Sequence, residues 1–253
     1  MPPVVDEPFT WRPAPWGVAL SCRAIGHVPH GWTTRQLQLR GTTAVERDGW
    51  SAVARDVGVG HDALVRLRQV HGACIHDTLS TPVDLPQADI AFSARSDRAV
   101  AVQVADCVPL LVVDDAGGVV AASHAGWRGT AADVAGVSVR ELMVRHAARA
   151  GQLRAAIGPS IGPCCYEVGA ELRDAFLSAG WHAGDIARWF LEREGRLFLD
   201  LWRTNADQLE RAGVPSDRIH VSRLCTACDA DWFYSYRRDG AGTGRLSGYI
   251  RPV

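Results

Sequence analysis

Apolar residues fall into short runs separated by turn formers, and this spacing predicts strands over residues 18–21, 64–70, 99–104, 110–113 and 119–122. Between the last two lies Asp114-Asp115-Ala116-Gly117-Gly118, which predicts a hairpin. From Thr130 to Ala150 the period lengthens: Val134, Val137, Leu142 and Met143 recur near helical spacing. Thr130 is the expected cap of that helix, with Asp133 three residues on, and Gly151 its stop. Further helices are predicted over 168–179 and 201–212, the second entered through Asp200 and left through Gly213. Strands, then helices, then strands again predict an α+β fold with mixed β-sheets flanked by helices. No repeat, low-complexity tract or linker interrupts the 253 residues, so a single domain over 1–253 is expected.

Composition narrows the chemistry. The 27 basic and 28 acidic residues nearly cancel, leaving a net charge of -1 and no basic stretch to follow a phosphate backbone, so nucleic acid is not an expected partner. All of the basic residues are arginine. Without a lysine amine, Schiff-base, pyridoxal-phosphate and P-loop chemistries are excluded. The first residues carry no basic region followed by an apolar run, and the longest apolar stretch, 108–113, is too short to span a bilayer. A cytoplasmic protein with no membrane partner is expected, and its seven cysteines read as thiols, core fillers or metal ligands.

Three segments place reactive side chains where a strand gives way to a turn: Arg68-Gln69-Val70-His71-Gly72, Ala105-Asp106-Cys107-Val108-Pro109 and His124-Ala125-Gly126-Trp127-Arg128-Gly129-Thr130. Two imidazoles and a thiolate suit Zn²⁺ with a fourth position left for water. The separations of 36 and 17 residues do not by themselves identify a metal site. The same atoms also fit a Cys107–His124 nucleophile pair, or an edge-strand histidine, a core thiol and a helix-entry residue. Gly126 and Gly129 would let backbone approach a ligand, and Arg128 with a helix starting near Thr130 would suit an anion. Residues 158–168 form a Gly/Pro-rich loop with Cys164 and Cys165, read as a rigid connector. Cys225-Thr226-Ala227-Cys228 has redox or zinc spacing without a second pair and reads as plain thiols. Residues 233–240 join aromatic faces to Arg237 and Arg238, suited to a base and an anion or to an ordinary ionic edge.

Taken together, Arg-Gln-Val-His-Gly at 68–72, Ala-Asp-Cys-Val-Pro-Leu-Leu at 105–111, His-Ala-Gly-Trp-Arg-Gly-Thr at 124–130, Ile-Gly-Pro-Cys-Cys-Tyr-Glu-Val-Gly at 161–169 and Ser-Tyr-Arg-Arg-Asp-Gly at 235–240 resemble the laccase-domain family of purine nucleoside phosphorylases, formerly called multicopper polyphenol oxidoreductases. The resemblance implies zinc held by His71, Cys107 and His124, and a fold similar to α+β proteins of the cysteine-hydrolase type. It implies phosphorolysis of adenosine, inosine, guanosine and methylthioadenosine, with deamination of adenosine, so the expected partners are a purine nucleoside and phosphate; the chain itself is expected to be a monomer. One departure stands out: Thr33-Thr34-Arg35 runs into Gln36-Leu37-Gln38-Leu39-Arg40-Gly41, where relatives carry a Gly-Gly-Val-Ser turn and an asparagine that helps hold the nucleoside. The chain's one asparagine is Asn205.

For deamination, zinc would activate water and Asp106 is the candidate proton shuttle; for phosphorolysis, Arg128 and Arg35 are the candidate phosphate cations, with Arg237 and Arg238 as further substrate-binding candidates. A copper oxidase competes poorly, because a type 1 site plus a trinuclear cluster takes about ten histidines. Only nine are present. A degenerate member that binds nucleoside without turnover is the non-enzyme alternative.

Overall fold

The computed structural model describes residues 1–79 and 85–253. In chain order the strands are β1 (Phe9–Ala14), β2 (Gly17–Cys22), β3 (His30–Trp32), β4 (Leu64–Val65), β5 (Ile75–Asp77), β6 (Ile90–Ser93), β7 (Ala99–Val104), β8 (Val108–Asp114), β9 (Val120–Ala125), β10 (Leu153–Ile157), β11 (Glu167–Val168), β12 (Phe190–Arg193), β13 (Arg196–Leu199), β14 (Ile219–Val221) and β15 (Leu246–Ile250). The helices are α1 (Thr43–Val57), α2 (Trp127–Ala131), α3 (Val134–His146), α4 (Ala170–Ser178), α5 (Ala183–Trp189), α6 (Leu201–Arg211) and α7 (Tyr236–Asp239). One six-stranded sheet runs β1-β2-β3-β15-β7-β4 and a second β14-β10-β8-β9-β6-β5, each mixing antiparallel with parallel pairs, and β11-β13-β12 form a small third, antiparallel sheet. The fold is α+β with mixed sheets flanked by helices.

The period-2 alternation of the strands sorts their side chains into layers. Val100, Val102 and Val104 of β7 meet Leu111 and Val113 of β8 between the two sheets. On the reverse faces, Ala99 and Ala101 pack under α1, while Val108, Leu110 and Val112 pack under α3 and α6. Both faces of β8 are thus covered, which is why its sequence reads as a continuous apolar run.

Three expectations need correction. The strand read over 64–70 stops at Val65, because the Gln69 side chain takes over the pairing: its amide donates to the Gln103 carbonyl and accepts from the Gln103 N–H, both at 2.7 Å. The helix read over 130–150 is two helices, broken where Asp133 adopts a left-handed φ of 60°, and the second ends at His146, well before Gly151. Thr130 caps nothing; it lies inside α2, where its hydroxyl and carbonyl accept from Asn205 and Gln208 of α6. The 114–118 hairpin forms, with Asp114 Oδ1 accepting from Val119 N–H. The helix over 201–211 starts as expected, on the Asp200 carboxylate.

Candidate metal centre and cavity

Two of the three candidate ligands sit where the chain passes between the two six-stranded sheets, and the third lies near the end of a strand. His71 lies on the crossing from β4 to β5, Cys107 in the turn from β7 to β8, and His124 in β9, in register with Pro109 of β8. Two of these turns demand left-handed backbone from ordinary residues, with φ of 62° at His71 and 85° at Asp106. The result is convergence: ligand atoms of His71, Cys107 and His124 all lie within 4.8 Å of one another. Gly126 permits it, since a Cβ there would stand 2.9 Å from Cys107 Sγ, 3.6 Å from His71 Cδ2 and 3.8 Å from His124 Cε1. Gly129 plays the same part against the Gly72 carbonyl, 2.7 Å from where its Cβ would be.

Asp89, just before β6, organises this cluster and was not singled out from the sequence. Fully buried, it accepts from His124 Nδ1 and from the His71 N–H through Oδ1, both at 2.9 Å, and from the Gly72 N–H through Oδ2 at 2.7 Å. Burial alone would disfavour its charge, but these hydrogen bonds outweigh it and hold the carboxyl below the usual carboxylate range. The bond to Nδ1 leaves Nε2 as the ring nitrogen available to a metal, the arrangement by which carboxylates orient metal-binding histidines. Burial also pulls His124 down, yet the neighbouring Cys107 sulfur and Asp89 carboxylate prevail and raise its pKa to about 9. His71 goes the other way, lowered by burial and by His124. A lone aspartate in the apolar run Ala88-Asp89-Ile90-Ala91-Phe92 was the available signal.

The three ligands line a cavity of about 680 Å³ that also receives Arg68, Arg128, Arg237 and Arg245. The Arg128 guanidinium lies over the Trp127 ring at 4.3 Å and makes no hydrogen bond or ion pair among the described residues. Asp106 lines the cavity too, but both carboxylate oxygens are engaged, accepting from Thr226 Oγ1 and from the Arg237 N–H at 2.6 Å each. Arg237 stacks over Tyr166 at 5.1 Å and donates to the Glu167 carbonyl. Burial raises the Tyr166 phenol well above its ordinary value, keeping an O–H at the cavity wall. Arg35 and Arg238 are not among the lining residues. Arg35 donates to the Ala230 carbonyl and stacks over Tyr234, and Arg238 pairs with Asp239 through two bonds of 2.7 Å while binding three carbonyls. The divergent 33–41 segment is tied to the first sheet, where Gln36 Oε1 accepts from the Val18 N–H.

The profile of the multi-copper polyphenol oxidoreductase laccase family matches residues 41–252. The chain belongs to this family. A Deinococcus radiodurans protein named purine nucleoside phosphorylase is 37% identical over 232 residues, covering 87% of each chain. A protein named adenosine deaminase RL5, from an unknown prokaryotic organism, is 36% identical over 207 residues, 78% of each. Among solved structures, a Bacillus licheniformis hypothetical protein, YfiH, superposes with a TM-score of 0.86 at 29% identity, covering 98% of this chain and 100% of its own. YlmD from Geobacillus stearothermophilus gives 0.82 at 30% identity, over 92% and 96%.

Proposed function

We propose that this chain is a zinc-dependent purine nucleoside phosphorylase that also deaminates adenosine. One observation carries the reading: two imidazoles and a thiolate converge on the wall of a cavity that also receives four arginines. His71, Cys107 and His124 would hold the zinc as the three protein ligands of a catalytic site, which leave a coordination position for water or substrate. Bound zinc would supply Lewis acidity and a water of lowered pKa. Among the described lining residues four arginines face one carboxylate, Asp106, whose oxygens are taken by internal hydrogen bonds, so the cavity is cationic and suited to a phosphate dianion. Arg128 holds that phosphate with its free planar fork. Tyr166 offers a protonated hydroxyl to the nucleoside, and Asp106 acts by positioning α7 and hence Arg237. The names carried by the relatives, purine nucleoside phosphorylase and adenosine deaminase, support the two activities; adenosine, inosine, guanosine and methylthioadenosine are the proposed substrates of phosphorolysis, and adenosine that of deamination.

A copper oxidase finds less support, since His71 and His124 are the only histidines in a metal-competent cluster among the described residues. A Cys107–His124 hydrolase has one point in its favour, the imidazolium that the Cys107 sulfur and Asp89 stabilise. Incubating zinc-loaded protein with adenosine, with and without phosphate, separates these readings. Adenine release only with phosphate, alongside inosine in either condition, supports the proposal; a covalent adduct on Cys107 in active metal-free protein overturns it for the hydrolase.

A further inference from the structure

Four further cysteines, on the loops that follow β10 and β14, stand together. Cys164, Cys165, Cys225 and Cys228 bring their four sulfurs within 4.8 Å of one another, although the two pairs are more than fifty residues apart in sequence. Cys228 Sγ lies 3.3 Å from Cys165 Sγ and 3.6 Å from Cys164 Sγ. Around a tetrahedral zinc with Zn–S bonds of about 2.3 Å, sulfurs stand ~3.8 Å apart. Four sulfurs this close therefore fit around one ion, whereas the ligands of a multi-iron cluster stand farther apart. Cys225 Sγ also accepts from the Gly162 backbone N–H at 3.2 Å, the kind of donor that supports a metal-bound thiolate.

We propose that Cys164, Cys165, Cys225 and Cys228 form a second, structural zinc site, closed to substrate and distinct from the cavity site. Binding displaces the thiol protons to solvent and leaves four Zn–S bonds with no open position. The site staples two segments that grip the turn carrying Cys107: Ile161 N–H donates to the Asp106 carbonyl at 2.9 Å, and Thr226 Oγ1, between Cys225 and Cys228, donates to the Asp106 carboxylate at 2.6 Å. Disulfides would pair the sulfurs two by two, whereas Cys228 stands at similar distance from both Cys165 and Cys164, the mutual spacing that ligands of one ion adopt.

The test is zinc titration of full-length protein after chelator treatment under reducing conditions, read by elemental analysis and by the thiolate charge-transfer bands of the cobalt-substituted form. Two equivalents are expected for the unmodified chain, and one each for His124→Ala and Cys228→Ser. The cobalt bands should persist at multi-thiolate intensity in His124→Ala and fall to single-thiolate intensity in Cys228→Ser. One equivalent in the unmodified chain with none in His124→Ala would overturn the site, as would a Cys165–Cys228 disulfide found by mass spectrometry in protein purified without oxidant. Should Cys228→Ser fail to fold, the His124→Ala stoichiometry decides alone.

Discussion

Replacing Asp89 with asparagine removes one charge and one acceptor while keeping the shape. The carboxylate accepts three N–H groups, two at Oδ1 and one at Oδ2, so either orientation of the amide sets its NH₂ against at least one of them. A lost charge-assisted hydrogen bond costs about 1.5–3 kcal/mol and an unsatisfied buried N–H about 1–3 more, so the metal-free protein should lose roughly 3–5 kcal/mol. Loss of a carboxylate behind a metal-binding histidine costs about 10–100-fold in affinity. Because the native Asp89 pKa is depressed, its contribution is present above the unfolded value near ~4 and is lost as pH falls through the native one. The variant should therefore show a shallower acid limb. Zinc affinity is read by competition with a chromogenic chelator, stability by urea unfolding in excess chelator across pH 2–7. Zinc affinity within twofold of the unmodified chain, together with less than ~1 kcal/mol of destabilisation, would refute Asp89 as the organiser of the site.

Other outcomes follow from the same geometry. Gly126→Ala keeps an allowed backbone, φ -76°, but sets a methyl 2.9 Å from Cys107 Sγ, so zinc affinity should fall at least ~10-fold while chelated protein loses only about 1–3 kcal/mol; equilibrium dialysis and urea unfolding check both. Arg128→Lys keeps the charge and loses the fork, so phosphorolysis should drop by one to several kcal/mol in kcat/KM, on the order of a charged hydrogen bond, while deamination falls much less. Asp56 accepts from Arg12 and from the Tyr249 hydroxyl, both at 2.5 Å, beneath the first sheet, and Asp56→Ala should cost about 3–5 kcal/mol without changing zinc binding, as unfolding and titration would record. Burial lowers His30 to about 4, so the unfolded chain takes its proton first on acidification. Stability in chelator should then fall by up to ~1.4 kcal/mol per pH unit from ~6.5 to about 4, a slope that His30→Gln removes.

Much of this architecture was legible because burial leaves a period in the sequence. Strands β7, β8 and β9 and the helix over 201–211 announce themselves through alternation, continuous apolar runs or caps. The strand over 64–70 was misread because a glutamine side chain can imitate a strand's backbone pairing, which no period reveals. The break at Asp133 depends on a left-handed φ at a non-glycine residue, which the apolar period does not register. Helix α1 was legible in principle, since Trp50, Val53, Ala54 and Val57 share one face, but it was not read. At the site, family motifs pointed to the three candidate ligands that the fold brings together, while spacing alone left them undecided. Asp89 went unseen because its role lies in what surrounds it. Arg35 and Arg238 were credited as free cations because a sequence does not show which guanidinium groups are already satisfied by carbonyls.

Phosphorus NMR of zinc-loaded protein with adenosine and inorganic phosphate tests the central claim most directly. A new phosphomonoester signal should grow in step with free adenine, vanish after chelation, return with zinc, and stay absent in His124→Ala. Zinc-loaded, folded protein that releases no base and forms no phosphomonoester, or that does both equally well after complete chelation, would contradict a zinc-dependent phosphorylase.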